Sequence, residues 1–226
     1  MKYEVLLWDA DGTLFDFPHC EHDAILRVLP AFGLPQTEEA AALYSRFNDA
    51  HWKRLERGEI TRDQLKRGRF EALGNHYGVQ VDGDAMTEVY SRALGEYAYP
   101  IPHTYEVCRA LADVRRMYVI TNGIAQTQHS RFALSPLREC FRDVFISEEA
   151  GAEKPSPVFF RYVAERIPDF DPRKTLIIGD SPTSDIRGGM RAGIDTCLFA
   201  PSPVSLPEDV APTYTVCDLR EVPALV

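Results

Sequence analysis

Asp9 and Asp11, in Asp9-Ala10-Asp11-Gly12-Thr13, follow directly on the apolar run Val5-Leu6-Leu7-Trp8. A short apolar run closed by turn residues reads as a buried strand that ends at Asp9. Residues two apart in extended chain share a side, so both carboxylates would leave that strand end together. Gly12 then lets the chain turn away sharply. Two acids on a buried edge are costly to desolvate unless something cationic lies between them. The pair asks for a metal ion, a phosphate, or both.

Three later segments carry groups of the same kind. Thr121-Asn122-Gly123 follows the apolar run 117–120 and opens a helical stretch, whose free N–H groups and positive dipole end suit a phosphate. Lys154, before Pro155, begins another helical stretch and offers a fixed positive charge. Asp180 and Asp185, in Gly179-Asp180-Ser181-Pro182-Thr183-Ser184-Asp185, follow the run 175–178. Read as chemistry, one carboxylate attacks phosphorus while a divalent ion offsets its repulsion with the phosphate oxygens. Oxygen donors with no histidine or cysteine among them favour Mg²⁺. A second acid can protonate the leaving oxygen and then take a proton from the attacking water. Crowding among carboxylates would favour the protonated form of that acid.

The elements that must position these groups alternate. Strand candidates lie at 5–8, 117–120, 144–147, 175–178 and 195–199, with helical segments near 104–113, 124–135, 157–167 and 184–192. Apolar strands alternating with helices predict a parallel sheet covered on both faces. Ligands of such sheets bind beyond the carboxyl ends of the strands, where Asp9, Asp11, Thr121 and Asp180 fall. Residues 17–99 contain no convincing strand. Helical spacing runs over 23–32, where Pro30 threatens an early end. Thr37 with Glu38 and Glu39 reads as a second helix start, Thr61-x-x-Gln64 as a capping box, and Asp84 as the start of a fourth helix. Helices of this length make a small bundle. The expected division is a sheet core from 1–16 and 100–226, with a helical unit over 17–99 inserted into it. The Pro-rich stretch 201–212 reads as loop.

The 226 residues carry a formal charge of −9, with 45% hydrophobic and 26% charged residues. That balance suits a globular protein and argues against a nucleic-acid polymer as partner, which needs a basic face. The five cysteines are scattered without a CxxC pair, so reduced thiols are expected rather than disulfides or a zinc site. The six histidines show no metal-ligand spacing. No window approaches 18 uncharged apolar residues, so no membrane partner and a cytoplasmic location are expected.

The order DxDGT, TNG, KP and GDxxxxD, spanning residues 9 to 185, resembles the haloacid dehalogenase (HAD) superfamily of phosphohydrolases. The helical insertion after the first motif is similar to that family's C1 cap. The resemblance implies an α/β fold with a Rossmann-like parallel-sheet core and a Mg²⁺-dependent phosphomonoesterase working through an aspartyl-phosphate. Asp9 would be the nucleophile and Asp11 the general acid/base. Thr121, Asn122 and Gly123 would bind phosphate, and Lys154 would neutralise charge. Mg²⁺ would be held by Asp9, the main-chain carbonyl of Asp11, and Asp180, with Asp185 acting mostly through metal-bound water. A narrower resemblance rests on Trp52…Gly58-x-Ile60-Thr61…Leu65…Gly68-Arg69-Phe70, Ile146-Ser147-Glu148-Glu149 and Ser184-Asp185-Ile186-x-Gly188-Gly189. These segments look like the noncanonical pyrimidine 5′-nucleotidases, which dephosphorylate UMP, dUMP and TMP. The implied partner is a small phosphorylated metabolite, a nucleoside monophosphate, with the chain a monomer or homodimer.

Each residue also has a plainer reading. Thr121 or Asp185 could cap a helix, and Lys154 could be a surface charge. Trp52, Arg69, Phe70 and Tyr77 read more readily as bundle packing than as a base pocket. The loop Phe15-Asp16-Phe17-Pro18 lies near the hinge of the insertion and could touch substrate. Competing activities are 2-haloacid dehalogenation and sugar-phosphate hydrolysis or a phosphoglucomutase-like transfer. Dehalogenation needs no proton donor at a leaving oxygen, which Asp11 argues against. A regulatory binding module with a dead site would lack an acid at position 9, 11 or 180, and none is lacking.

Overall fold

The computed structural model describes residues 2–226. Six strands form one sheet: β1 (Val5–Trp8), β2 (Arg116–Thr121), β3 (Asp143–Ile146), β4 (Thr175–Gly179), β5 (Asp195–Phe199) and β6 (Tyr214–Val216). Their spatial order is β3-β2-β1-β4-β5-β6, and every neighbouring pair is parallel. β1 is central, with Leu6 opposite Met117 on one side and Leu176 on the other. The strand order reverses between β1 and β4, and in open α/β sheets that reversal opens a crevice at the carboxyl ends. Asp9 and Asp180 immediately follow those two strands. The chain is an α/β protein with a Rossmann-like core, as the alternation predicts.

Alternation along β1 divides the apolar core. Leu6 and Trp8 pack in one cluster with Val107 and Leu111 of α5 (Thr104–Ala112) and Phe132 of α6 (Ala125–Leu134). Val5 and Leu7 pack on the other face with Phe159, Phe160 and Val163 of α8 (Pro157–Arg166), which follows the short α7 (Ser147–Ala150). A third cluster belongs to the helices α1 (Phe17–Val28), α2 (Glu38–Glu56), α3 (Arg62–Tyr77) and α4 (Gly83–Leu94), with Tyr44 stacked on Phe70 and Tyr90 angled against both at its centre. The chain enters and leaves this helical unit side by side: Phe15 bridges Pro100, and the Asp16 N–H donates to the Tyr99 carbonyl at 2.9 Å.

Local boundaries differ from the sequence expectations at several points. The first inserted helix begins at Phe17 rather than 23, because the Asp16 side chain accepts from the His19 N–H at 3.1 Å and Pro18 fits the first turn. It ends at Val28, and a 3₁₀ turn absorbs Pro30. The capping box at Thr61 and Gln64 forms with both of its hydrogen bonds. Lys154 does not open a helix; α8 starts at Pro157, capped by Ser156. The segment after Asp180 makes a π turn over Pro182–Ile186 before α9 (Arg187–Ala192). The edge strand β6, three residues long, is too short for any period to reveal. Among the described residues no helix is long and apolar enough to cross a membrane.

Candidate active site

The carboxyl ends of β1, β2 and β4 bring Asp9, Thr121 and Asp180 to one edge of the sheet, where they line a cavity of about 220 Å³. Lys154 reaches it from the loop before α8, and its Nζ donates to Asp9 Oδ1 at 2.5 Å, Asp185 Oδ1 at 2.7 Å and the Ile120 carbonyl at 2.9 Å. All three ammonium protons are thereby used. The surface-charge reading of Lys154 fails, since the side chain is 1% exposed. Burial works against its charge, yet Asp185 and Asp9 outweigh it and hold its pKa above the usual lysine value.

Asp9, Asp180 and Asp185 each offer a carboxylate oxygen, and these atoms lie within 4.8 Å of one another. Burial and then the charge of Asp185 push Asp9 well above the usual carboxylate range. The same two causes push Asp180 up to about 7. Carboxylates crowded in this way, with one lysine among them, have room for a second cation. Hard oxygens and no nitrogen or sulfur donor fit Mg²⁺. Asp185 has its Oδ1 on Lys154 and its Oδ2 on the Ser181 N–H at 3.1 Å, which leaves Asp9 and Asp180 the freer donors. Ser181, not Asp185, caps the turn that follows.

Two glycines make the crowding possible. Gly12 has φ +86°, and a Cβ there would stand 2.4 Å from Asp180 Oδ2. A Cβ on Gly179 would stand 2.4 Å from the Asp185 carboxyl carbon. Side chains at either position would displace an acid of the cluster.

Asp11 lines the cavity too but stands outside the three-acid cluster. Its Oδ2 accepts from Gln128 Nε2 at 2.6 Å, and its Oδ1 is paired with Arg131. The expectation that crowding among acids bears on Asp11 is therefore corrected: the crowding falls on Asp9 and Asp180. Arg131 is fully buried, donates to the Tyr97 carbonyl at 3.0 Å and lies 4.5 Å over the Phe15 ring. Neither Gln128 nor Arg131 stands out in the sequence, and the only signal is their i,i+3 spacing on the helix after Thr121.

On the phosphate side, Thr121 Oγ1 accepts from the Gly123 N–H at 3.0 Å, leaving its own proton free to donate. The Asn122 side chain is taken up in structure, joined to the Lys154 backbone by two hydrogen bonds of 2.8 and 3.0 Å. From the helical unit Phe17, Trp52, Glu56, Arg69, Tyr90 and Leu94 line the cavity. Trp52 and Arg69 thus face the site, while Phe70 and Tyr77 pack in the bundle. Phe17 of the hinge loop reaches the cavity as well. The two units also meet beside it. Arg62 of α3 donates to Ser147 Oγ at 2.7 Å, to Glu153 at 2.9 Å and to the Asn122 carbonyl at 3.3 Å, and Lys66 pairs with Glu148. Glu148 in turn accepts from the Ala125 N–H at the start of α6, at 2.8 Å.

Residues 3–193 match the family described as haloacid dehalogenase-like hydrolase. The chain is 38% identical to the HAD-hydrolase YfnB of Bacillus subtilis, over 98% of this chain and 94% of that one. A crystal structure of YfnB bound to magnesium, described as revealing interdomain movement, superposes with a TM-score of 0.95 over 100% of this chain and 99% of YfnB. The pyrimidine 5′-nucleotidase PynA of Streptococcus pneumoniae is 34% identical, covering 98% of this chain and 94% of PynA. The pyrimidine 5′-nucleotidase YjjG of Escherichia coli is 32% identical, covering 100% and 99%.

Proposed function

The chain belongs to the haloacid dehalogenase-like hydrolases, and from that premise we propose that it is a Mg²⁺-dependent 5′-nucleotidase of pyrimidine nucleoside monophosphates such as UMP, dUMP and TMP. The observation that carries the phosphatase chemistry is Lys154, bonded at once to Asp9 and Asp185 beside Asp180, at the sheet's switch point. The nucleotide reading is supported by the near-full-length likeness to PynA and YjjG. Residues 17–99 act as the cap over the site.

Asp9 attacks phosphorus, breaking the bond to the ester oxygen and forming an aspartyl-phosphate. Asp11 delivers a proton to the departing oxygen, then takes one from the water that cleaves the intermediate. Gln128 and Arg131 donate to its two oxygens and so fix the carboxylate for the step in which it takes the proton. Lys154 holds Asp9 in place and offsets charge on the transferring group. Thr121, through its free hydroxyl proton, and the Asn122 N–H receive the phosphate oxygens, and the Gly123 N–H joins them once it turns from Thr121 Oγ1. Asp9, Asp180 and the Asp11 carbonyl would hold Mg²⁺, with Asp185 bonded through water. When bound, that ion supplies charge neutralisation between nucleophile and phosphate. The cap side chains exclude bulk water and receive the nucleoside.

A phosphate-release screen over nucleoside monophosphates and sugar phosphates, with Mg²⁺ and with EDTA, tests this. Release from UMP, dUMP or TMP that EDTA abolishes is the expected result. Activity confined to sugar phosphates would sink the nucleotidase reading.

A further inference from the structure

Glu56 is an acid in a place that disfavours one. It is the last residue of α2, at the negative end of a 19-residue helix. It lines the same cavity as Asp9 and Asp180, the acids among which a phosphate dianion is to be seated. No cation pairs with it among the described residues, although two arginines flank it in sequence: Arg54 and Arg57 both turn to Glu59 instead. Its Oε2 accepts from Thr183 Oγ1 at 3.1 Å, which holds the side chain against the turn that follows Asp180. The residue is exposed where it lines the cavity, and its Oε1 has no hydrogen-bond partner among the described residues. Trp52 stands one turn earlier on the same helix and lines the same cavity, so an aromatic face and a free carboxylate oxygen are presented side by side.

We infer that Trp52 and Glu56 form a sugar subsite in which Glu56 Oε1 accepts the 3′-hydroxyl of the pentose, and that the same carboxylate turns away a substrate already phosphorylated at that hydroxyl. This rests on the nucleotidase reading above. The 5′-phosphate is held at the sheet edge, so the pentose next to it is the part that lies beside the turn at Thr183. An ionised carboxylate only accepts hydrogen bonds, so a neutral hydroxyl suits it and a second anion does not. The indole offers an apolar surface for the C–H face of the ring. The 3′-hydroxyl is the one that UMP, dUMP and TMP share. A charge-assisted hydrogen bond from it offsets the cost of holding an unpaired acid at this helix end.

The test uses two substrate pairs. The first is dUMP against 2′,3′-dideoxyuridine 5′-monophosphate, which lacks only the 3′-hydroxyl. Wild-type kcat/KM should favour dUMP by about 10- to 100-fold. The second is UMP against uridine 3′,5′-bisphosphate, whose 5′-phosphate should be released with a kcat/KM at least about tenfold lower. Glu56→Ala should bring the first pair to within about threefold of each other, mainly by raising KM for dUMP. Glu56→Gln keeps an acceptor and removes the charge, so it should retain part of the dUMP preference and lose most of the discrimination against the bisphosphate. A residue that only tied the helical unit to the turn at Thr183 would change all of these substrates by one factor. If neither variant folds, the wild-type comparisons decide. Equal wild-type kcat/KM within either pair, or a uniform loss across both pairs in a folded Glu56→Ala, would overturn the assignment alone. Turnover of sugar phosphates with no nucleoside monophosphate accepted would overturn the nucleotidase reading, and this assignment with it.

Discussion

At the scale of single residues, Lys154 has two consequences that separate in experiment. Replacing it by methionine keeps the volume but leaves Asp9 and Asp185 as uncompensated buried acids. Breaking a buried pair in this way costs about 3–5 kcal/mol, so thermal denaturation should show a clear drop in Tm. Turnover should fall by at least roughly 10²–10³-fold, as expected for losing a donor that stabilises developing charge. A variant that lost activity with an unchanged Tm would contradict the buried pairing. Asp11→Asn separates proton delivery from binding. The loss in kcat should approach about 10³-fold on UMP and be much smaller on p-nitrophenyl phosphate, whose leaving group needs no proton. Equal losses on both substrates would count against the acid role. Asp9, Thr121, Lys154 and Asp180 were legible in the sequence because each directly follows, or nearly follows, a recognisable strand or turn. Gln128 and Arg131 were not, because a polar residue inside a helix carries no mark of what its face will meet.

At the scale of elements, α3 is the piece that ties the helical unit to the sheet core. Arg62 and Lys66 sit one turn apart and reach Ser147, Glu148, Glu153 and the Asn122 carbonyl. These contacts are partly shielded, with side-chain exposures of 14% for Arg62 and 23% for Lys66, so they count for more than exposed pairs. The double variant Arg62→Ala, Lys66→Ala should raise KM for nucleotides by roughly 3- to 10-fold, on the order of 1 kcal/mol. Its Tm should move by no more than about 2–4 °C, since each unit keeps its own apolar core. Steady-state kinetics beside a melting curve would check both. The capping box at Thr61 was readable from local sequence and fixes where this helix starts. The acidic partners of Arg62 and Lys66, Glu153 and Glu148, were not, because they lie more than 80 residues away along the chain.

At the scale of the whole molecule, the acids gathered at the switch point couple metal, proton and fold. Burial and the charge of Asp185 push Asp180 up to about 7. A carboxyl raised on folding contributes stability that is complete below its unfolded pKa and is lost as pH rises through 7. Mg²⁺ requires the deprotonated form, so ion and proton compete. Saturating Mg²⁺ should therefore raise Tm more at pH 8 than at pH 6, by roughly 5–10 °C at the higher pH. A shift independent of pH would show that the ion is not held by this cluster. The sheet was legible through its four interior apolar runs and their regular alternation with helices. The strand order was not, because nothing local records that β1 lies between β2 and β4.

The paired entry and exit of the chain at Phe15 and Pro100 carry a consequence for how such proteins diversify. Because the two ends of the helical unit are already neighbours, the unit can be lengthened, shortened or exchanged as a cassette without moving a strand. The catalytic edge would keep its geometry through the swap, and only the walls of the chamber above it would change. A chimera that exchanges 17–99 for the equivalent segment of another protein of the same fold should retain its phosphate chemistry and take on the donor's choice of leaving group.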